Sequence, residues 1–267
     1  MLFELSTAAL TLLVLVVLVG TTLAAVALGR YLRDRGDGLK EPLAVVQAAL
    51  IGFVALILAF GLTMAVGRYE SRRAAVVDEA NTIGTTYLRA QTLPEPLRTR
   101  AMRLLTTYTD TRIALSNATP ETERFRDASA AGQVIQQKLW RIAGQAMNRA
   151  PTSSAPRLFT ETLNDMIDAH TTRLAALANR IPGSVMYLQI ATSALAFGVL
   201  ALYLALLGRA VLPALVGALM VSLMLLVIFD LDRPHRGFIT VPATPLVAQR
   251  ASMNLPPAAP PPTRPLP

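Results

Sequence analysis

The chain has 267 residues, 53% of them apolar, 6% aromatic and none cysteine, and its 25 basic against 17 acidic residues give a net charge of +8. Without cysteine there is no disulfide, no thiolate metal site and no cysteine nucleophile, and a basic balance beside this much hydrophobicity points to membrane topology and anionic lipid head groups, not nucleic acid. The apolar residues are gathered into four uncharged blocks, and the remaining residues, about 170, are too few to wrap them as a soluble core.

The first block, 5–29, carries no ionisable residue and exceeds the roughly 20 residues that a bilayer's hydrocarbon requires. The approach to it has Glu4 and no basic residue, so the block is expected to be a retained span and not a cleaved signal peptide. Arg30, Arg33, Arg35 and Lys40, with Gly36 and Gly38, form a polar turn. The second block, 42–67, therefore returns antiparallel to the first. No breaker stands at its exit, where Arg68-Tyr69-Glu70-Ser71-Arg72-Arg73-Ala74-Ala75 are good helix formers with Glu70 and Arg73 at i,i+3. One helix of about 50 residues, from Pro42 to near Ala90, is predicted.

Pro94, Pro96, Pro120, Pro151 and Pro182 cut the next segment into helical pieces. Leu97, Ala101, Leu104 and Tyr108 recur at helical spacing, as do Leu163, Met166, Ile167, His170, Leu174 and Leu177, and no alternating strand pattern lasts. Segment 68–181 reads as a helical bundle with Phe125, Trp140 and Phe159 in its core. Blocks three and four, 182–208 and 210–229, make a second transmembrane hairpin within 182–232, to match the first within 1–67. The Pro-rich tail, 233–267, is expected to be disordered or extended. The predicted fold is an all-α membrane protein with four transmembrane helices and an extramembrane helical domain between spans two and three. Basic residues at the span ends place both termini and that domain in the cytoplasm of a multi-pass cell-membrane protein.

Small residues mark where spans can approach one another. Ala191, Ala194, Gly198, Ala201, Ala205 and Gly208 line one side of span three, and Ala48, Gly52, Ala55 and Ala59 one side of span two; either stripe could serve packing within a subunit or between subunits. Asp230, at the end of span four, faces the negative end of a helix dipole beside lipid and calls for a cation. Arg68, Arg72, Arg73, Arg233 and Arg236 are the candidates, with Asp232 in the same cluster, and the alternative is a solvated, snorkelling charge. Asp78, Glu79 and Asn81 read as an Arg-paired structural network first and as a gate or ligand site second. Asn164, Asp165 and Asp168, with Glu161, line up oxygen atoms on one helix, where ordinary pairing with Arg outweighs a hard cation. His170 and His235 are the only histidines, and there is no phosphate loop, zinc-protease motif or nucleophile elbow. No enzyme chemistry, cofactor or metal is expected.

The stretches Arg68-Tyr69-Glu70-Ser71-Arg72-Arg73, Asp78-Glu79-Ala80-Asn81, Leu163-Asn164-Asp165-Met166-Ile167-Asp168-Ala169-His170 and Asp230-Leu231-Asp232-Arg233-Pro234 together resemble the bestrophin-like family of bacterial membrane proteins. The resemblance covers nearly the whole chain, as far as Pro245. It implies four spans with a helical domain between the second and third. Through the bestrophins proper, pentameric anion channels whose pore is lined by the second span, it implies a homo-oligomer in the lipid bilayer with a small anion as permeant. Phe53, Ile57, Phe60 and Met64 would then form a hydrophobic constriction that wets transiently. The aromatic run and asparagine pair of bestrophins at the corresponding helix start are absent here. Read without the resemblance, those four residues are a lipid-facing or bundle-core face, and the alternative to a channel is a membrane scaffold or sensor that recruits partners through its helical domain and tail.

Overall fold

The computed structural model describes residues 7–33, 37–119, 122–233 and 237–259. Arg35, Gly36, Pro120, Pro234, His235, Arg236 and the last eight residues of the Pro-rich tail lie outside the described residues, as do residues 5 and 6 of the first block. Among the described residues the structure is helical without strands: α1 (Thr7–Leu32), α2 (Lys40–Ala90), α3 (Leu97–Asn117), α4 (Glu123–Arg149), α5 (Ser154–Ala178), α6 (Gly183–Leu206), α7 (Leu212–Leu231) and α8 (Thr244–Ser252), with a 3-10 turn at Asp37–Leu39. Among the described residues four helical stretches, Ala9–Leu32, Lys40–Ala90, Ser154–Leu206 and Leu212–Leu231, are long and apolar enough to cross a membrane.

The predicted long helix is present: α2 runs for 51 residues. Pro42 sits in its first turn, where a missing N–H costs nothing, and no further proline occurs before Pro94. It closes in tight turns, with the N–H groups of Gln91, Thr92 and Leu93 donating to the carbonyls of Leu88, Arg89 and Ala90. The chain divides into two compact units, Met1–Tyr69 with Arg180–Thr240, and Glu70–Asn179 with Val241–Pro267.

In the first unit α1 packs on α6 and α7, and α6 packs on α7. Leu10, Val14 and Leu18 of α1 meet Ala196 and Phe197 of α6 and Ala218, Leu225 and Ile228 of α7 in one core, and Val54, Leu58 and Ala65 of α2 belong to it. The steps of four on α1 put those residues on one helix face. A Cβ at Gly29 would lie 2.6 Å from the Cβ of Ala205 and 2.9 Å from the Leu202 carbonyl, so α1 and α6 touch nearly backbone to backbone. The span-three stripe serves packing within the chain, with Ala194, Ala201 and Ala205 buried and Gly198 half-buried, although Ala191 and Gly208 at its ends are exposed. The span-two stripe does not: Ala48, Gly52, Ala55 and Ala59 are all exposed.

In the second unit α3 packs on α4 and α8, and α4 packs on α5. Ile83, Leu97, Ala101, Leu105, Tyr108, Leu139, Phe159, Leu163 and Met166 fill its core. Of the three aromatics expected there, Phe159 is fully buried, Phe125 is half-buried and Trp140 is 47% exposed. Leu139 and Ile142 take the inward positions of α4, which leaves Trp140 on the outer side. The tail also departs from expectation. Thr244–Ser252 form α8, whose Leu246 is completely buried, and Met253 just beyond it is 6% exposed. Tyr87 Oη donates to the Met253 carbonyl at 3.1 Å, Arg98 to the Ala259 carbonyl at 2.9 Å, and the Ala259 N–H to Gln91 Oε1 at 3.0 Å. Two apolar anchors in a Pro-rich stretch suffice to dock it, because each removes its side chain from water.

Candidate functional site

Span two is the span least covered by its own chain. Only 11% of its most apolar window is buried, against 28%, 39% and 33% for the other three. Val54, Leu58, Gly61 and Ala65 form its inward face. Phe53, Phe60 and Met64 are 49%, 63% and 41% exposed, and Ile57 is half-buried. The four residues share one side of α2, and that side is not the core of this chain. Gly61 forms a notch on the inward face, where an added Cβ would overlap Nε2 of Gln189 from α6. Gln189 is fully buried, and its amide donates to the Ile57 carbonyl at 3.5 Å. Sequence reasoning missed this pair, although a Gln inside an apolar block signals a polar contact between helices.

The charges after spans two and four sort differently from the expected lock on Asp230. Asp230 is 3% exposed, and its carboxylate accepts the N–H groups of Phe238 and Ile239, both at 2.8 Å. Gly237 makes that turn possible, since a Cβ there would lie 2.6 Å from Oδ1. Two aligned backbone donors satisfy the anion directly. The residue that meets the long helix is Asp232, 1% exposed, which accepts the Ile181 N–H at 3.0 and 3.1 Å and stands 4.0 Å from Nη1 of Arg68. Arg72 is buried and turns to the end of α5, donating to the carbonyls of Ala176 and Asn179 at 3.2 and 2.8 Å. Arg73 pairs with Glu70 at 3.7 Å on an exposed face, where such a pair is worth little. Arg233 is buried, and its N–H closes the turn onto the Asp230 carbonyl at 2.9 Å.

The expected polar network in the helical unit gathers on Glu79 alone. Asp78 and Asn81 are exposed; Asn164 donates to Asp168 at 3.0 Å on the surface, and Asp165 lies beside them, also exposed. Glu79 is completely buried, pairs with Arg173 through Oε2 and stands 2.9 Å from Nδ1 of His170 through Oε1. Arg112, also completely buried, donates through Nη1 to the His170 ring, 2.8 Å from Nε2, and through Nη2 to the Ala128 carbonyl at 3.0 Å. The same Nη1 lies 3.0 Å from His170 Nδ1, so the imidazole sits between the Arg112 guanidinium and the Glu79 carboxylate. Arg173 reaches Ser116 Oγ at 2.5 Å, Gln136 donates to Tyr108 Oη at 2.9 Å, and the Arg112 guanidinium lies 4.9 Å above the Tyr108 ring.

Burial pushes the Glu79 carboxyl up, but the His170 hydrogen bond and the Arg173 charge outweigh it and hold the carboxyl below its ordinary value. Burial drives Tyr108 up to about 12 and lowers Arg112. The sequence did carry a signal for these partners. Arg112 and Ser116 continue the Leu105 and Tyr108 face by single turns, and Arg173 follows His170 by three residues.

The bestrophin-like domain profile matches residues 11–246. A search of curated proteins finds no match. Among solved structures, a bacterial bestrophin homologue from Klebsiella pneumoniae, phased on zinc, superposes with a TM-score of 0.61 at 15% identity, over 88% of this chain and 95% of that one. A single-substitution variant of such a homologue from the same organism gives 0.65 at 14% identity, over 94% and 96%. At such identities the likeness is one of fold.

Proposed function

Since this chain belongs to the bestrophin-like family, we propose that it is a multi-pass protein of the cell membrane that assembles as a homo-oligomer and conducts small anions along its second span. In this reading residues 68–181 form an extramembrane domain on the cytoplasmic side, whose basic residues raise the local anion concentration. The observation that carries the proposal is the bare apolar side of α2. Phe53, Phe60 and Met64 stand exposed on the span that its own chain covers least, and in an oligomer that side is free to face a shared axis. A ring of such residues has no polar group to replace an ion's hydration shell. It would pass anions only while wetted, which makes it a gate.

Mass measurement in mild detergent tests the assembly. A defined oligomer is expected, and a strict monomer would contradict the proposal, because one chain has too few spans to enclose a pore of this kind. One observation favours a non-conducting scaffold as the second reading. Trp140 is exposed in the helical unit between hollows of about 410 and 540 Å³, and exposed tryptophan with adjoining concavities suits protein recognition.

A further inference from the structure

Trp140 is the only tryptophan of the chain, and it stands exposed on α4 between two hollows. Met147 of α4 and Glu161 and Asp165 of α5 line the first with it, and Gln137 of α4 and Ile167 of α5 the second. Glu161 and Asp165 are exposed one helical turn apart. Arg157 borders the same hollow, yet neither carboxylate has an ion pair among the described residues. The groove between α4 and α5 thus offers an aromatic ridge, apolar contact on either side of it, and two uncompensated negative charges.

Such a groove suits a proline-rich strand that carries a cation. Prolines pre-set the extended PPII helix, so little freedom is lost when it docks against an aromatic side chain. A charge pair at the rim then fixes direction more than it adds affinity. The chain carries a segment of this chemistry in Pro260-Pro261-Pro262-Thr263-Arg264-Pro265-Leu266-Pro267, where Pro262 and Pro265 have PxxP spacing and Arg264 is the one charged side chain. The segment follows Ala259, which is held by Gln91 just after α2 and by Arg98 of α3, and α8 before it packs on α3. Every residue that lines the two hollows lies on α4 or α5. Groove and segment are therefore unlike patches carried by different helices, an arrangement that joins successive copies head to tail and can close a ring.

We infer that residues 260–267 of one copy dock between α4 and α5 of its neighbour, with prolines against Trp140 and Arg264 facing Glu161 and Asp165. The contact rests on the homo-oligomer proposed above and needs no flux through α2.

The chain has no cysteine and a single tryptophan, so introduced thiols and the native emission report on this contact directly. Asn164 lines the first hollow. Full-length protein carrying Asn164→Cys with Thr263→Cys, treated in mild detergent with a short bismaleimide, is expected to give a ladder of linked copies. Thr107→Cys with Thr263→Cys, whose first thiol stands at an exposed position of α3, should give none. The Trp140 emission should shift to the red in Arg264→Glu, and in Pro262→Ala with Pro265→Ala, as the ring returns to water. Linkage only within single chains, equal linkage from Thr107→Cys, no linkage, or an emission unchanged in both tail variants would each overturn the docking. A strict monomer by mass would end the assembly reading and the docking together, whereas a defined oligomer without linkage would end the docking alone.

Discussion

Replacing Glu79 with Gln keeps its shape and removes the anion that faces Arg173. Breaking a buried pair from one side leaves its partner's charge uncompensated, so Glu79→Gln is expected to cost about 3–5 kcal/mol in urea unfolding. The pH dependence has its origin in the same contact. The folded carboxyl lies below its ordinary value, so its contribution is complete above the ordinary carboxylate pKa. It fades as pH falls and is gone below the lowered folded value. Unfolding measured across that acid window should show stability falling in the parent, with a shallower fall in Glu79→Gln; parallel curves would contradict the assignment. At this scale the sequence was only partly legible. Asp78, Glu79 and Asn81 look alike in a string of polar residues, and only the helix phase turns Glu79 inward. Asp230 and Asp232 likewise exchange roles because the Gly237 turn brings backbone N–H groups to Asp230, a contact that no side-chain inventory contains.

Between helices, the Gly61 notch and Gln189 depend on each other. Gly61→Ala drives a methyl into the Gln189 amide and should destabilise by about 1–3 kcal/mol, as overpacking does. In a Gln189→Ala background the same change should cost much less, and a double-mutant cycle in detergent measures the coupling. Additive costs would show that the two do not touch. For α8, Leu246→Ala removes a completely buried side chain and is expected to lose about 2–5 kcal/mol; a loss near zero would mean that the segment does not dock. The lengths of α2 and of the spans were legible because prolines and uncharged blocks mark them locally. The docking of α8 was not, since Leu246 and Met253 are diluted by the surrounding prolines, and only a preformed groove reveals what they bury. Trp140 escaped for the converse reason: size and hydrophobicity suggest a core, but its position on α4 relative to Leu139 and Ile142 turns it outward.

For the molecule as a whole, the four helices apolar enough to cross a membrane among the described residues, the family and the likeness to bestrophin-homologue structures agree with what hydropathy and short motifs implied. What a single chain leaves unmatched is the outer side of α2, where the stripe of Ala48, Gly52, Ala55 and Ala59 and the side with Phe53, Phe60 and Met64 are both exposed. In lipid, small residues favour close helix contact and bulky ones do not. In the proposed assembly the stripe meets a neighbouring copy while the bulky side turns to the axis. Chloride efflux from liposomes holding the purified protein, with Phe53→Ala and Phe60→Ala prepared alongside, tests this most directly. The account predicts measurable efflux that increases in both variants as the constriction widens; folded, inserted protein that passes no chloride in any of the three would contradict it.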